Sequence, residues 1–203
     1  GVPVENIIIS VTHTHSAPDL TNTKQPSITS YLQLLEKQLA AAAVQAMEDR
    51  KPAMIFGGSI ATEGMNFVRH YLMNDGTVAG DNFGDMSSGI AGYHHAADAT
   101  LQLLKFSREG GKAIYVTNFQ CHPHQTGGSD KYSVSADVVG EYRSAMEAAT
   151  DAHVMYFSGA GGNLNSHSRV KTEQATQDFR EWGKRLAEYA QKVELQPLET
   201  GSV

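Results

Sequence analysis

The stretch Ile7-Ile8-Ile9-Ser10-Val11-Thr12-His13-Thr14-His15-Ser16-Ala17-Pro18 sets both the fold class and the place where chemistry can occur. Its first half is apolar and β-branched, and predicts a strand over residues 7–12. That strand runs into His13 and His15 and stops at a proline turn. Side chains alternate along a strand, so two histidines two residues apart project to the same side of a sheet rim. Neutral imidazole is the commonest metal ligand, and zinc accepts it readily. The stretch Asn118-Phe119-Gln120-Cys121-His122-Pro123-His124 repeats the design after a strand over 113–119. Two strands ending in histidine-rich turns are what a composite metal site requires. The same pattern also fits histidines that cap strand ends and hydrogen-bond loop carbonyls, and both readings stand at this point.

Outward from these two stretches, helix and strand periods alternate along the chain. Ser27 offers an N-cap, and Ile28, Tyr31, Leu32, Leu35, Leu39 and Ala43 recur at helical spacing, which predicts a helix to about Asp49. Residues 54–60 read as a strand with a close backbone approach or bulge at Gly57-Gly58. Residues 63–96 are rich in Gly, Asn, Asp and His without clear periodicity, and read as one long loop, a candidate lid. Strands over 100–106 and 112–119 flank Arg108-Glu109-Gly110-Gly111 and predict a hairpin. Asp137 opens a helix with Val138, Val139, Tyr142 and Met146 on one face. A short strand over 153–157 empties into Ser158-Gly159-Ala160-Gly161-Gly162-Asn163. A last helix, about 172–192, is expected to bury Phe179, Trp182, Leu186 and Tyr189. Strands mixed with helices throughout predict an α/β fold, a layered domain with a mixed β-sheet flanked by helices, and 203 residues favour one domain over 1–203.

Composition removes several function classes. The formal net charge is −6 and the sequence holds no basic tract, so no nucleic-acid partner is expected. No apolar run is long enough to form a transmembrane segment. Cys121 is the single cysteine, so no intrachain disulfide forms, and a buried strand residue is favoured over a catalytic thiol. The chain enters its first strand from Gly1-Val2-Pro3 with no initiator methionine, which reads as a piece of a longer or processed chain.

Ligands of open α/β sheets gather outside the carboxyl ends of the strands. Three strand ends here are polar: His13/His15, His122/His124 and the glycine-rich turn at 159–165. That turn fits a cluster of backbone N–H groups facing an oxyanion or ion, or equally a plain tight turn. Arg69, in Asn66-Phe67-Val68-Arg69-His70-Tyr71, fits either a fork that holds an anionic group or a surface ion pair. Asp137 serves the N-terminus of its helix or stands at the metal rim. His167 lies near the glycine-rich turn, while His94, His95 and His153 show less organisation.

Taken together, these segments resemble a known family. Thr12-His13-Thr14-His15-Ser16-Ala17-Pro18 resembles the T-H-T-H-S-G/A-P signature of the neutral/alkaline (non-lysosomal) ceramidase family. Asn118-Phe119-Gln120-Cys121-His122-Pro123 is similar to its N-F/W-x-x-H-P segment, and the strand pair before it, from Asp98, fits as well. Ser135-Ala136-Asp137-Val138-Val139-Gly140 resembles its S-G/A-D-x-x-G segment, and Phe157 to Asn165 its strand ending in G-D-x-S/N-P. The segments follow family order from residue 7 to about 165.

The resemblance implies a zinc amidase that splits the N-acyl bond of ceramide into fatty acid and sphingosine. It implies Zn2+ held by His13 and His122, with His15 beside the metal to stabilise the transition state or move a proton. Arg69 would be the pocket arginine, and Asn66 and Asn163 the substrate-binding residues beside it. A ceramide-like lipid substrate, peripheral membrane contact and a secreted or periplasmic setting follow from the resemblance alone. The family's further zinc ligands, a downstream Glu and Tyr, have no counterpart here, Asn163 stands for the family Asp, and Asn163-Leu164-Asn165-Ser166 does not match the family serine. The chain is therefore a piece of a larger enzyme or a divergent relative. A non-catalytic binding or scaffold domain of the same fold, and a different metal-dependent hydrolase completed by His124 and Asp137, remain the alternatives.

Overall fold

A computed structural model of the chain describes residues 2–21, 23–126, 132–170 and 178–199. In chain order the elements are α1 (Pro26–Glu48), β1 (Ala53–Ala61), β2 (Phe67–Val68), β3 (His70–Met73), β4 (Val78–Gly80), β5 (Ile90–Tyr93), β6 (Thr100–Arg108), β7 (Ile114–Phe119), α2 (Asp137–Thr150), β8 (His153–Ser158), β9 (Leu164–Asn165), α3 (Phe179–Gln191) and β10 (Gln196–Pro197). A single 3-10 turn, Val4–Asn6, precedes them.

The main sheet has five strands in the order β10-β1-β6-β7-β8. β7 and β8 are parallel and every other pairing is antiparallel, so the sheet is mixed and the domain is a layered α/β one. Alternation decides which face is covered. Leu101 and Leu103 of β6, Thr117 and Phe119 of β7, and Val154 and Tyr156 of β8 are buried on one face. Helix α2 meets that face with Val138, Val139, Tyr142 and Met146, the set expected from its period. Polar groups inside this layer are paired: Thr117 Oγ1 and Tyr142 Oη lie 2.6 Å apart, and Tyr156 Oη donates to the Phe119 carbonyl at 2.9 Å.

Helix α3 crosses α2 closely because Gly183 has no side chain. A Cβ there would lie 2.5 Å from Glu141 Cβ and 2.6 Å from the Tyr142 nitrogen. Trp182 and Leu186 are buried as expected, while Phe179 and Tyr189 are half-buried and pack on the core from its rim. The described part of this helix begins after Asp178, whose carboxylate accepts from the amides of Arg180 and Glu181 at 2.8 and 3.4 Å. The sequence expectation of a start near residue 172 lies outside the described residues.

Three expectations are corrected. Residues 7–12 form no strand: the segment has no ladder partner, and Ile8 and Ile9 are 86% and 76% exposed. β-propensity describes a fit to a pleated surface, and a run without a paired neighbour has none. The stretch 63–96 is not a structureless loop. It holds β2 and the three-stranded antiparallel sheet β4-β3-β5, with Tyr71, Met73 and Ala79 forming a small core of their own. Strands of two to four residues between Gly and Asn turns are too short to show a period. Helix α1 has its predicted length, but only Ile28 of its apolar positions is buried, and Tyr31 and Leu39 are exposed. No helix among the described residues is long and apolar enough to cross a membrane.

Candidate metal centre

The rim formed by the ends of β7 and β8 gathers the histidines. Past Phe119 the chain is held by Leu164, whose carbonyl accepts the His122 amide at 3.1 Å in a parallel bridge to Asn165. Glycine makes this approach possible, since a Cβ on Gly161 would meet the Cys121 backbone at 3.1 Å. The His13–His15 turn is tied to the same rim. The His15 amide donates to the Pro123 carbonyl at 3.0 Å, and Thr14 Oγ1 donates to Ser135 O at 2.9 Å. The Ser135 amide in turn donates to the Ser16 carbonyl at 2.8 Å. His13 itself sits at φ +63°, the left-handed region, and this kink turns its ring toward the other two.

The three rings meet edge to face, with centroids 5.1 Å apart for His13 and His15, 4.8 Å for His13 and His122, and 4.9 Å for His15 and His122. One nitrogen from each lies within 4.8 Å of the others. His122 Nδ1 is 2.9 Å from the Gly161 carbonyl, an acceptor only, so it carries the proton and leaves Nε2 as a lone pair. That Nε2 stands 3.1 Å from His15 Nε2. Two nitrogens on one tetrahedral zinc, at about 2.0–2.1 Å each, lie about 3.3 Å apart. The His15–His122 pair therefore stands at ligand spacing for a zinc-type cation, and a His13 nitrogen lies within 4.8 Å of both, with His13 and His15 exposed and His122 buried.

Electrostatics favour the neutral form of His15 and of His122. Burial lowers the pKa of His15, the charges of His124, His13 and Arg69 lower it further, and Asp137 opposes them. Burial also lowers that of His122, against the Gly161 hydrogen bond that raises it, with Arg69, His124 and His15 adding to the fall. A folded pKa below the ordinary value means that the unfolded chain takes up protons first as pH falls. Stability from these rings is thus complete above the ordinary imidazole range, about 6.5, and is lost as pH drops from there through the lower folded values. The unfolding midpoint of the metal-free protein, followed from about pH 8 to 5, is expected to hold on the alkaline side and fall on the acid side. The fall should be shallower in His15→Ala/His122→Ala. An identical profile in that variant would refute the account of the rings.

The remaining expected residues fall in different places. Arg69, between β2 and β3, donates to the Gly162 carbonyl at 2.6 Å through its guanidinium and to the Asn163 carbonyl at 2.9 Å through its amide. Among the described residues no carboxylate pairs with it, and its charge reaches His15 and His122. Asn163 is half-buried on the glycine-rich turn, with Nδ2 3.4 Å from His95 Nε2. Asn66 is buried and gives both amide hydrogens to carbonyls, those of Asp98 and Gln120, at 2.7 and 2.8 Å. It ties the β2 loop to the end of β7. Asp137 accepts from the Thr126 amide and hydroxyl at 2.7 and 2.6 Å and from the Val138 amide at 2.7 Å, so its carboxylate serves the start of α2 and the segment after His122. Cys121 is buried, and burial pushes its thiol well above the ordinary value, as expected of a structural residue.

Two further rings extend the row. His124 lies 5.7 Å from His15 and 5.4 Å from His122 between centroids, and His167 lies 5.1 Å from His124. The role of His167 has no sequence signal beyond its nearness to the turn. A cavity of about 300 Å³ opens beside His13 and His122, walled by Val11, Thr12, Pro123, Ser158 and the glycines 159, 161 and 162 among others.

No protein-family model matches this sequence, and no curated protein does. Among solved structures the chain is similar to "Ceramidase complexed with C2", at 17% identity and a TM-score of 0.49 over 70% of this chain and 22% of that one. It is similar also to neutral ceramidase from Pseudomonas aeruginosa, at 17% identity and a TM-score of 0.48 over 70% of this chain and 22% of that one. The chain thus spans about a fifth of the length of each.

Proposed function

We propose that the chain carries the metal centre of a ceramidase-like zinc amide hydrolase. The convergence of His13, His15 and His122 carries this reading. Three imidazoles are a known protein ligand set for a catalytic zinc. Zinc held there would supply a Lewis acid for an amide carbonyl. His122 is oriented by the Gly161 carbonyl, which keeps its Nε2 aimed at the other rings. His15, which the motif resemblance makes a proton-transfer residue, would join the ligands in this reading, its Nε2 standing 3.1 Å from that of His122. Arg69 brings a fixed positive charge to the rim and stabilises negative charge that develops on the substrate oxygen or on the released carboxylate. Asn163 and Asn66 border this region as substrate-side residues, Asn66 through the backbone it holds rather than through its amide.

The motif resemblance supports an N-acyl lipid of the ceramide type as substrate, peripheral contact with a membrane, and a secreted or periplasmic setting. A second reading, a non-catalytic domain of the same fold, is favoured by Asn163 in the position of the family acid. One experiment separates them. The purified chain is loaded with zinc, dialysed and analysed for metal, then assayed with a short-acyl ceramide for fatty-acid release. About one zinc per chain, with hydrolysis lost to a chelator and restored by zinc, is the expected result. No retained zinc would overturn the proposed centre, and retained zinc without hydrolysis would assign the binding role.

A further inference from the structure

A second pair of imidazoles stands at ligand spacing outside the three-ring centre. β5 ends at Tyr93, and the chain bends through His94 and His95. Side chains of successive residues in a strand point to opposite faces, so a straight continuation would hold these two rings apart. The bend brings them together instead. The His94 amide donates to the His70 carbonyl at 3.0 Å, which anchors the bend on β3. His94 Nδ1 and His95 Nδ1 are 3.2 Å apart, and the ring planes cross at 84°. Both residues are exposed. On its other side His95 is fixed by the glycine-rich turn, its Nε2 facing Asn163 Nδ2 at 3.4 Å and accepting from it. A neutral ring carries one proton, so His95 holds it on Nδ1 and donates it to His94 Nδ1.

We propose that His94 and His95 bind a second, more weakly held divalent cation of the zinc type through their Nδ1 atoms. Two facing nitrogens 3.2 Å apart match the edge of about 3.3 Å that two ligands span on tetrahedral zinc. Neutral imidazole ligates through Nδ1 as well as through Nε2. The cation takes the place of the shared proton. That proton leaves His95 Nδ1 for solvent and Nε2 takes one up, so the ring stays neutral. Asn163 then turns its amide so that Oδ1 accepts from the new Nε2–H, giving the ring the oxygen partner that metal-bound histidines keep on their second nitrogen. Cation binding on the bend thus sets which end of the Asn163 amide faces His95. Among the described residues, three ligand atoms come to mutual spacing only at His13, His15 and His122. Water therefore supplies the remaining ligands on the bend, the His70 ring standing further off at 5.8 Å from that of His95. Two protein ligands hold zinc less tightly than three, so this cation leaves on dialysis while the first is retained.

The test uses the full chain carrying His15→Ala/His122→Ala, which removes two ligands of the first centre. Zinc is titrated into it and followed by calorimetry and by NMR of the ring nitrogens of isotope-labelled histidine. The expected result is one weak site per chain, with the His95 proton moving from Nδ1 to Nε2 as the site fills. Adding His94→Ala or His95→Ala is expected to weaken that site at least about tenfold. Adding His153→Ala, which removes an exposed histidine of β8, is expected to leave it unchanged. Both bend rings are exposed and the anchoring bond uses the His94 backbone, so these variants keep the bend. No zinc binding by the starting variant, or an affinity that neither His94→Ala nor His95→Ala lowers, would overturn the proposal. Zinc binding that leaves the His95 proton on Nδ1 would overturn it as well. The result does not depend on the first centre: a parent chain that retains no zinc at His13, His15 and His122 still shows the weak site on the bend.

Discussion

Replacing His122 with alanine is expected to remove stoichiometric zinc binding, weakening affinity by more than about 100-fold. His122 is the one buried ring of the three, and its centroid lies within 5 Å of both others, at 4.8 and 4.9 Å. Loss of an orienting hydrogen bond alone costs a metal site about 10–100-fold, and this change removes the ligand together with its bond to Gly161. His124→Ala serves as the comparison, because His124 lies outside the three-ring group and should keep most of the affinity. Titration with zinc, read by calorimetry or by cobalt substitution, measures both. Near-equal affinities for the parent and His122→Ala would dismiss the centre, and circular dichroism would establish that the variant keeps its fold.

Replacing Trp182 with alanine is expected to cost about 3–5 kcal/mol of unfolding free energy. The side chain is fully buried among α2, α3 and β7, with the Phe119 ring 6.1 Å away. Its Nε1 donates to the Met65 carbonyl at 2.8 Å, and the next residue, Asn66, holds the Gln120 carbonyl. The indole therefore joins the helical layer to the loop that carries Arg69 and to the end of β7. Trp182→Phe should cost less, retaining most of the apolar volume while leaving the Met65 carbonyl without its donor. Urea unfolding of the three proteins tests this order. A loss below about 1 kcal/mol for Trp182→Ala would mean that the crossing of α2 and α3 does not hold the core together.

Helix α2 was legible in sequence because Val138, Val139, Tyr142 and Met146 repeat at a helical period and are buried as a set. The β6–β7 hairpin was legible because two apolar runs flank a Gly-rich turn, with β6 ending at Arg108 and β7 beginning at Ile114. Strands β2 to β5 were not, since segments as short as Phe67–Val68 carry no measurable period and are held by partners distant in sequence. Residues 7–12 mark the opposite failure, a strong strand pattern without a ladder. Pattern reports what a segment suits, while pairing depends on whether a neighbour's edge is offered at the right register.

For the candidate site, the sequence by itself placed His13, His15 and His122 at the ends of apolar runs and Arg69 in a polar loop, because ligand chemistry and strand period are local properties. Only the tertiary structure decided that three of the nine histidines meet, that Asn66 spends its amide nitrogen on backbone carbonyls and Asp137 its carboxylate on Thr126 and the Val138 amide, and that Arg69 rests on Gly162 rather than on a surface acid. The contact between His15 and His122 joins residues 107 apart in sequence. Its 3.1 Å separation is set by the bridge of His122 to Asn165, the Pro123–His15 backbone bond and the bare backbone of Gly161, a register that no window of sequence contains.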